Sequence, residues 1–343
     1  MKRNLYHIDE VRFLIIHLIL FNHWAINLFM ARVKVDFSLV SFFFELTSPC
    51  LAIISGYLFF YRTKEKFDFL GKLRARVGSL IVPYVFWTIT FFLAYYAMKE
   101  IFIRFFHATY WYGPVLSINL KNFVYVFKNP PLVNFWYLQN LVFIIPFNFI
   151  IYFFLKNKIA FIAVFLFIIA AYAFSWFGLF FQPRFLPFYL LGCFMGYHEV
   201  AVPKVPLNMW ATGATIIIST AAAAETIHIQ YTSIWAIVLK IVIATFFLVA
   251  VYNLIDAHIH SRIVKYLQKN KTYSFFLFAI NMFLFGLVQR FMLKIGLEPF
   301  LINKYFTLLF NIVSFAAVLT LALSIGKLLK SKVPDFYHFI TGR

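Results

Sequence analysis

Phe161-Ile-Ala-Val-Phe-Leu-Phe-Ile-Ile-Ala170 decides the fold class. A strand of a membrane barrel alternates lipid-facing and lumen-facing residues, and this run does not alternate. A helix satisfies its own backbone in hydrocarbon whatever its pattern. About 20 helical residues, at 1.5 Å each, cross roughly 30 Å of hydrocarbon. Apolar stretches of that kind recur near 10–29, 38–60, 79–98, 135–155, 159–180, 184–199, 208–224, 232–255, 271–292 and 304–329. They predict an all-α, polytopic membrane helical bundle of about ten transmembrane helices. The sixth and seventh are short and are expected to be tilted or incomplete.

Composition agrees. Of 343 residues only 13% are charged and 63% are hydrophobic, against about 25% charged in a soluble domain. Such a chain cannot cover a water-facing surface. The net charge of +19 is distributed by topology. Lys2 and Arg3, the 62–76 segment, Lys156, Lys158, Lys204, the 262–271 segment, Lys327, Lys330, Lys332 and Arg343 all fall on one side if the N-terminus is cytoplasmic. An even number of spans returns the C-terminus to that side. The excess cation therefore serves orientation and contact with anionic membrane lipids, not nucleic acid. The first apolar segment is too long for a cleavable signal and carries Arg12, His17 and His23.

Residues 1–343 are expected to form a single transmembrane domain without a soluble module, ending in a basic tail of about a dozen residues. The external segment 99–134, with Tyr110, Trp111, Tyr112 and Tyr125, reads as an interfacial segment and a possible lid. Cys50 and Cys193 fall within spans and read as buried small hydrophobes, not a disulfide.

Functional candidates are the polar groups that hydrocarbon penalises, by about 2.5–3.5 kcal/mol for a central charge. Arg12 and His23 lie eleven residues apart on the first span. That spacing returns them to within about 20° of one face, about 16 Å apart along the axis. Asn27, one turn on, is placed to orient the His23 ring. A guanidinium fork binds phosphate, and an imidazole is the usual base for a hydroxyl nucleophile. Equally, Arg12 could snorkel to the headgroups while His23 bonds a neighbouring helix. His17 lies off that face and reads as structural. Glu45 could partner Arg12 or His23 but reads rather as an outer-interface residue, and Lys240 sits mid-span.

Ile8-Asp9-Glu10-Val11-Arg12, ten residues and then His23 resembles the opening of the acyltransferase 3 family of membrane acyltransferases. Further pieces follow in that family's order. Pro49 leads to Ser55-Gly56-Tyr57; Lys72-Leu73-Arg74-Ala75-Arg76 precedes Pro83-Tyr84; Phe135-Trp136-Tyr137-Leu138 opens the fourth span. Then come Gly192 and Gly196 in a later helix, and Ser274 to Asn281, where many members carry histidine in place of Asn281.

The resemblance covers about 8–290. It implies an acyl-CoA donor, most commonly acetyl-CoA, on the cytoplasmic side, and a carbohydrate acceptor on a cell-envelope polysaccharide or lipid-linked glycan. Arg12, Arg74 and Arg76 would hold the donor and His23 would be the base. Tyr57, Trp136 and Asn281 would line the substrate site, Asn281 keeping only a hydrogen-bonding role. The expected location is a bacterial inner (cytoplasmic) membrane. The rival reading is a glycan transporter or exporter, since carriers also place charges in spans. No metal is expected: His258-x-His260 lacks a third and fourth ligand at sensible spacing.

Overall fold

A computed structural model of the chain describes residues 7–29, 38–64, 66–106, 119–129, 135–173, 185–204, 234–294 and 304–342. Every regular element among them is helical. In order they are α1 (Ile8–Phe29), α2 (Ser38–Phe60), α3 (Phe69–Arg76), a π turn (Val77–Ile81), α4 (Val82–Phe106), α5 (Leu120–Lys128), α6 (Phe135–Ile144) and α7 (Asn148–Leu155). There follow α8 (Lys158–Ala173), α9 (Leu186–Tyr197), α10 (Ile234–Ala257), α11 (Arg262–Asn270), a 3-10 turn (Lys271–Tyr273), α12 (Ser274–Lys294), α13 (Lys304–Lys332) and α14 (Pro334–Thr341). The all-α expectation holds for the described residues.

Among those residues four stretches are long and apolar enough to cross a membrane: Phe69–Ala97, Ile237–Ala257, Arg262–Val288 and Ile312–Lys332. A fifth exists if the bent pair α6–α7 counts as one span. The expected seventh span, 208–224, lies outside the described residues.

Three differences from the sequence pattern have physical causes. The expected third span, 79–98, starts ten residues early, because the π turn joins α3 to α4 without a break. The expected fourth, 135–155, is two helices at 68°. Pro146 lies in the break, where its missing N–H and its ring cannot continue a helix. The expected tail ends in a folded helix, α14, whose Tyr337 and Ile340 are buried.

The described chain divides into two units. The first comprises 1–69, 147–274 and 297–315, the second 70–146, 275–296 and 316–343. In the first, α2 and α9 form the most extensive helix pair. Glycine makes it so. A methyl on Gly56 would strike the Tyr189 carbonyl and come 2.8 Å from the Cys193 nitrogen. One on Gly192 would strike the Ile53 backbone, and one on Gly196 the Tyr57 backbone. Without a driving force from water, membrane helices associate by such close approach of small residues. Cys193 is free and buried at this seam, and Cys50, also free and buried, gives its thiol to the Ala244 carbonyl of α10, as the sequence suggested.

The same unit gathers several helix ends on one face. His7, before α1, meets Asp256 at the end of α10 (3.2 Å), as does Lys204 beyond α9 (3.8 Å). Phe67, after α2, stacks on Tyr152 of α7 (4.1 Å between centroids), which meets Tyr197 of α9. These are the segments that the charge pattern assigns to one side of the membrane. α2 and α9 stop there through left-handed residues, Arg62 (φ 59°) and Glu199 (φ 51°).

In the second unit aromatic rings carry the packing: Phe91 on Trp87 and Phe135, and Phe135 parallel to Phe278. The expected interfacial segment contains the amphipathic α5, whose start is capped by Asn119 accepting from the Asn122 amide. Tyr84 and Gln139 both donate to the Phe127 carbonyl, each at 3.0 Å. They satisfy a last-turn acceptor that the helix cannot.

Gly192→Ala is expected to lower stability by about 1–3 kcal/mol through overpacking. Gly286→Ala on α12, where an added methyl meets nothing within 4 Å, should raise it by about 0.5–1 kcal/mol. Thermal unfolding in detergent checks the ranking; equal stability of the two variants would contradict the seam.

Candidate functional site

In the first unit, Arg12 lies one turn into α1 and is half-buried. Its guanidinium holds Asp9 at 3.0 Å across one helical turn. A pair this accessible is worth about 0–1 kcal/mol, so Asp9 holds the guanidinium only weakly. His23 and Asn27 belong to α1, and Glu45 to α2, but their side chains lie outside the described residues.

Tyr57 is buried at the end of the glycine seam and stacks on Tyr61. It lines an apolar cavity of about 70 Å³ with Val11, Ile53, Met195, Leu248 and Tyr252. From α1 the lining residues are Ile8 and Val11. His17 is structural, as expected. Its Nδ1 bonds the Phe13 carbonyl at 2.8 Å and its Nε2 lies 3.3 Å from the Tyr266 hydroxyl.

Sequence reasoning missed the ion pairs that fix this turn of α1. Glu10 is 2% exposed and accepts from Lys271 Nζ at 2.9 Å. His7, also buried, pairs with Asp256. A glutamate beside a predicted membrane entrance is a signal that a partner must exist, but no pattern names Lys271, 261 positions away.

In the second unit, Arg74 and Arg76 close α3. Arg74 is exposed and forms no ion pair among the described residues. Arg76 is half-buried and leads into the π turn. Trp136 is half-buried in the first turn of α6, where its carbonyl accepts from Asn140. Asn281 is 1% exposed. Its Nδ2 donates to the carbonyls of Leu277 (2.8 Å) and Phe278 (2.7 Å), leaving Oδ1 buried without a partner. A buried, unmet acceptor of this kind is where a substrate hydroxyl would donate. Arg12 and Tyr57 thus belong to one unit, and Arg74, Arg76, Trp136 and Asn281 to the other.

No group of three His, Cys, Asp or Glu side chains among the described residues is arranged to hold a metal ion. His258 and His260 occupy the turn after α10, and both are exposed.

Helical architecture throughout the described residues, membrane-length apolar helices and a cationic face define a polytopic integral membrane protein. The chain belongs to the acyltransferase 3 family, whose acyltransferase-domain model matches residues 5–327. It resembles the succinoglycan biosynthesis protein ExoH of Rhizobium meliloti (strain 1021), at 35% identity over 57 residues. That match spans 17% of this chain and 15% of the relative. No solved structure matches.

Two outcomes follow from the electrostatics. Lys271→Ala strands a buried carboxylate and should cost about 3–5 kcal/mol, whereas Glu10→Gln with Lys271→Met should recover most of it; denaturant unfolding in detergent distinguishes them. At the end of α9, burial holds the His198 imidazole below its ordinary value, with Lys158 and Lys64 adding to the effect and a hydrogen bond to Leu155 opposing it. The unfolded chain then binds the proton more tightly, so stability is lost as pH falls below about 6.5. His198→Gln should flatten that decline between pH 7 and 5 in melting curves.

Proposed function

We propose that this protein transfers an acyl group, most commonly acetyl, from its coenzyme A thioester to a sugar hydroxyl of a cell-envelope polysaccharide or lipid-linked glycan. The observation that carries the reading is the family match over nearly the whole chain, with Arg12 and His23 both on α1. The similarity to a protein of succinoglycan biosynthesis supports a glycan acceptor.

Arg12, Arg74 and Arg76 hold the phosphates of the donor, the guanidinium fork matching phosphate oxygens. His23 takes the proton from the attacking hydroxyl as the oxygen adds to the thioester carbonyl. The tetrahedral intermediate collapses with cleavage of the carbon–sulfur bond. The thiolate leaves and the imidazolium returns the proton to it, so ester and free coenzyme A balance acceptor and thioester. Tyr57, Trp136 and the Asn281 Oδ1 orient the acceptor. Thiolate leaves readily, so position and a base supply most of what the reaction needs.

The proposed topology has about ten spans with both termini cytoplasmic, in a bacterial inner membrane. Its support is that the helix ends carrying Lys64, Lys156, Lys158, Lys204 and Lys271 lie on one face of the first unit, and basic loops stay cytoplasmic.

His23→Ala is expected to insert and fold normally and to lose acyl transfer by at least about a hundredfold. Radiolabelled acetyl transfer to envelope glycan in membranes reads this; unimpaired transfer would remove His23 from the mechanism. Acetyl-CoA should bind the purified protein, and Arg74→Ala/Arg76→Ala should weaken that binding by at least about tenfold, as measured by calorimetry.

A further inference from the structure

We propose that α14 is a positioning element for the donor-binding arginines: seated on the π turn that follows Arg76, it fixes the direction in which Arg74 and Arg76 face. The inference rests on the reading of those arginines as donor ligands.

The π turn is the first observation. Val82 N–H bonds the Val77 carbonyl, five residues back. Relative to an α-helix this inserts one residue, and one residue is about 100° of rotation. Everything before the turn, Arg74 and Arg76 included, is rotated by that amount against the buried face of α4, which carries Tyr84, Trp87 and Phe91. Relaxation of 77–81 to a regular helix would re-aim both guanidinium groups without changing the packing of α4. Isolated π turns are costly and need something to hold them.

The end of α14 rests on this turn at Ser79. Gly342 has φ 69°, and a methyl there would lie 2.5 Å from the Ser79 carbonyl carbon and 2.6 Å from its Cα, besides striking the carbonyl oxygen. Across the turn, Gly78 has open space around it. The contact is backbone on backbone, which only glycine allows at that approach and that φ.

A second tether fixes the seat. The Trp87 indole N–H donates to the Ile340 carbonyl at 2.8 Å, an acceptor that the short helix cannot satisfy itself. Tyr337, Ile340 and Thr341 are buried. Phe86 meets Phe336 and Phe339 edge-on. A helix of eight residues does not persist alone in water, so its order comes from this seat. The seat and the turn that aims the arginines are therefore one structure.

The test is a double-mutant cycle on the full-length protein in detergent, with acetyl-CoA affinity as the readout. Gly342→Ala should weaken acetyl-CoA binding by about tenfold while its melting temperature stays within a few degrees of the parent. In the Arg74→Ala/Arg76→Ala background the same substitution should change nothing further, because the groups it aims are gone. If Gly342→Ala does not yield folded protein, Trp87→Phe takes its place; it removes the indole N–H that donates to Ile340 and leaves a smaller aromatic ring against Phe91 and Phe276.

Unaltered affinity in the α14 variant, or an equal loss in both backgrounds, would overturn the positioning role and leave the donor reading intact. Retained acetyl-CoA binding by Arg74→Ala/Arg76→Ala, or none by the folded parent, would instead remove the donor reading and the inference with it.

Discussion

The contact of α2 with α9 is the constraint on which the first unit depends. Inside a membrane, apolar side chains gain little by leaving lipid for protein, so association needs close fit. Gly56, Gly192 and Gly196 supply it by letting carbonyls of one helix sit where side chains of the other would be. The seam does more than join two helices. Tyr57 follows Gly56 directly, and Gly196 rests on its backbone, so the closest point of the seam sets the phenol against the cavity. α1 and α10 then pack against α2, and each takes its position from it.

A second constraint acts on α1 through charge. Burying Glu10 costs several kcal/mol unless it is paired, and Lys271 provides the pair. A buried ion pair is a weak source of net stability but a strong discriminator of register, because any slip leaves both charges unmatched. One turn of α1 is held by Glu10 on Lys271 and by His7 on Asp256. Arg12 lies on the following residues. Its position along α1 is therefore fixed by partners other than its own Asp9.

Much of this was legible in the sequence because it depends on local pattern. Helical class follows from unbroken apolar runs, and the glycines from their spacing near Ser55 and Tyr189. The burial of Cys50 and Cys193 follows from their place in spans, and the structural role of His17 from its position off the Arg12 face. What was not legible depends on partners remote in the chain. The π turn in Val77–Ile81 has no composition of its own. Its stabilising contact, Gly342, lies more than 250 positions away. The docking of α14 hides in a stretch whose charges resemble any cytoplasmic tail. Pro146 did carry a visible signal for the 68° bend, which the strong apolarity on both sides obscured.

The cations of this protein sort into two kinds by burial and pairing, and the division bears on chemistry. Lys271 is tied to a buried carboxylate, and moving it would strand that charge. Such a group is fixed and unavailable to a ligand. Arg74 is exposed and without an ion pair among the described residues, and Arg12 shares only a solvent-accessible aspartate. A phosphate arriving at either displaces water or a weak partner, not a buried one, so little of its binding energy is spent on rearrangement. The guanidinium is more weakly hydrated than an ammonium and presents its donors in a plane. Arginine at the exposed positions and lysine at the buried pair is the arrangement expected if the former meet a polyphosphate and the latter hold the helices in register.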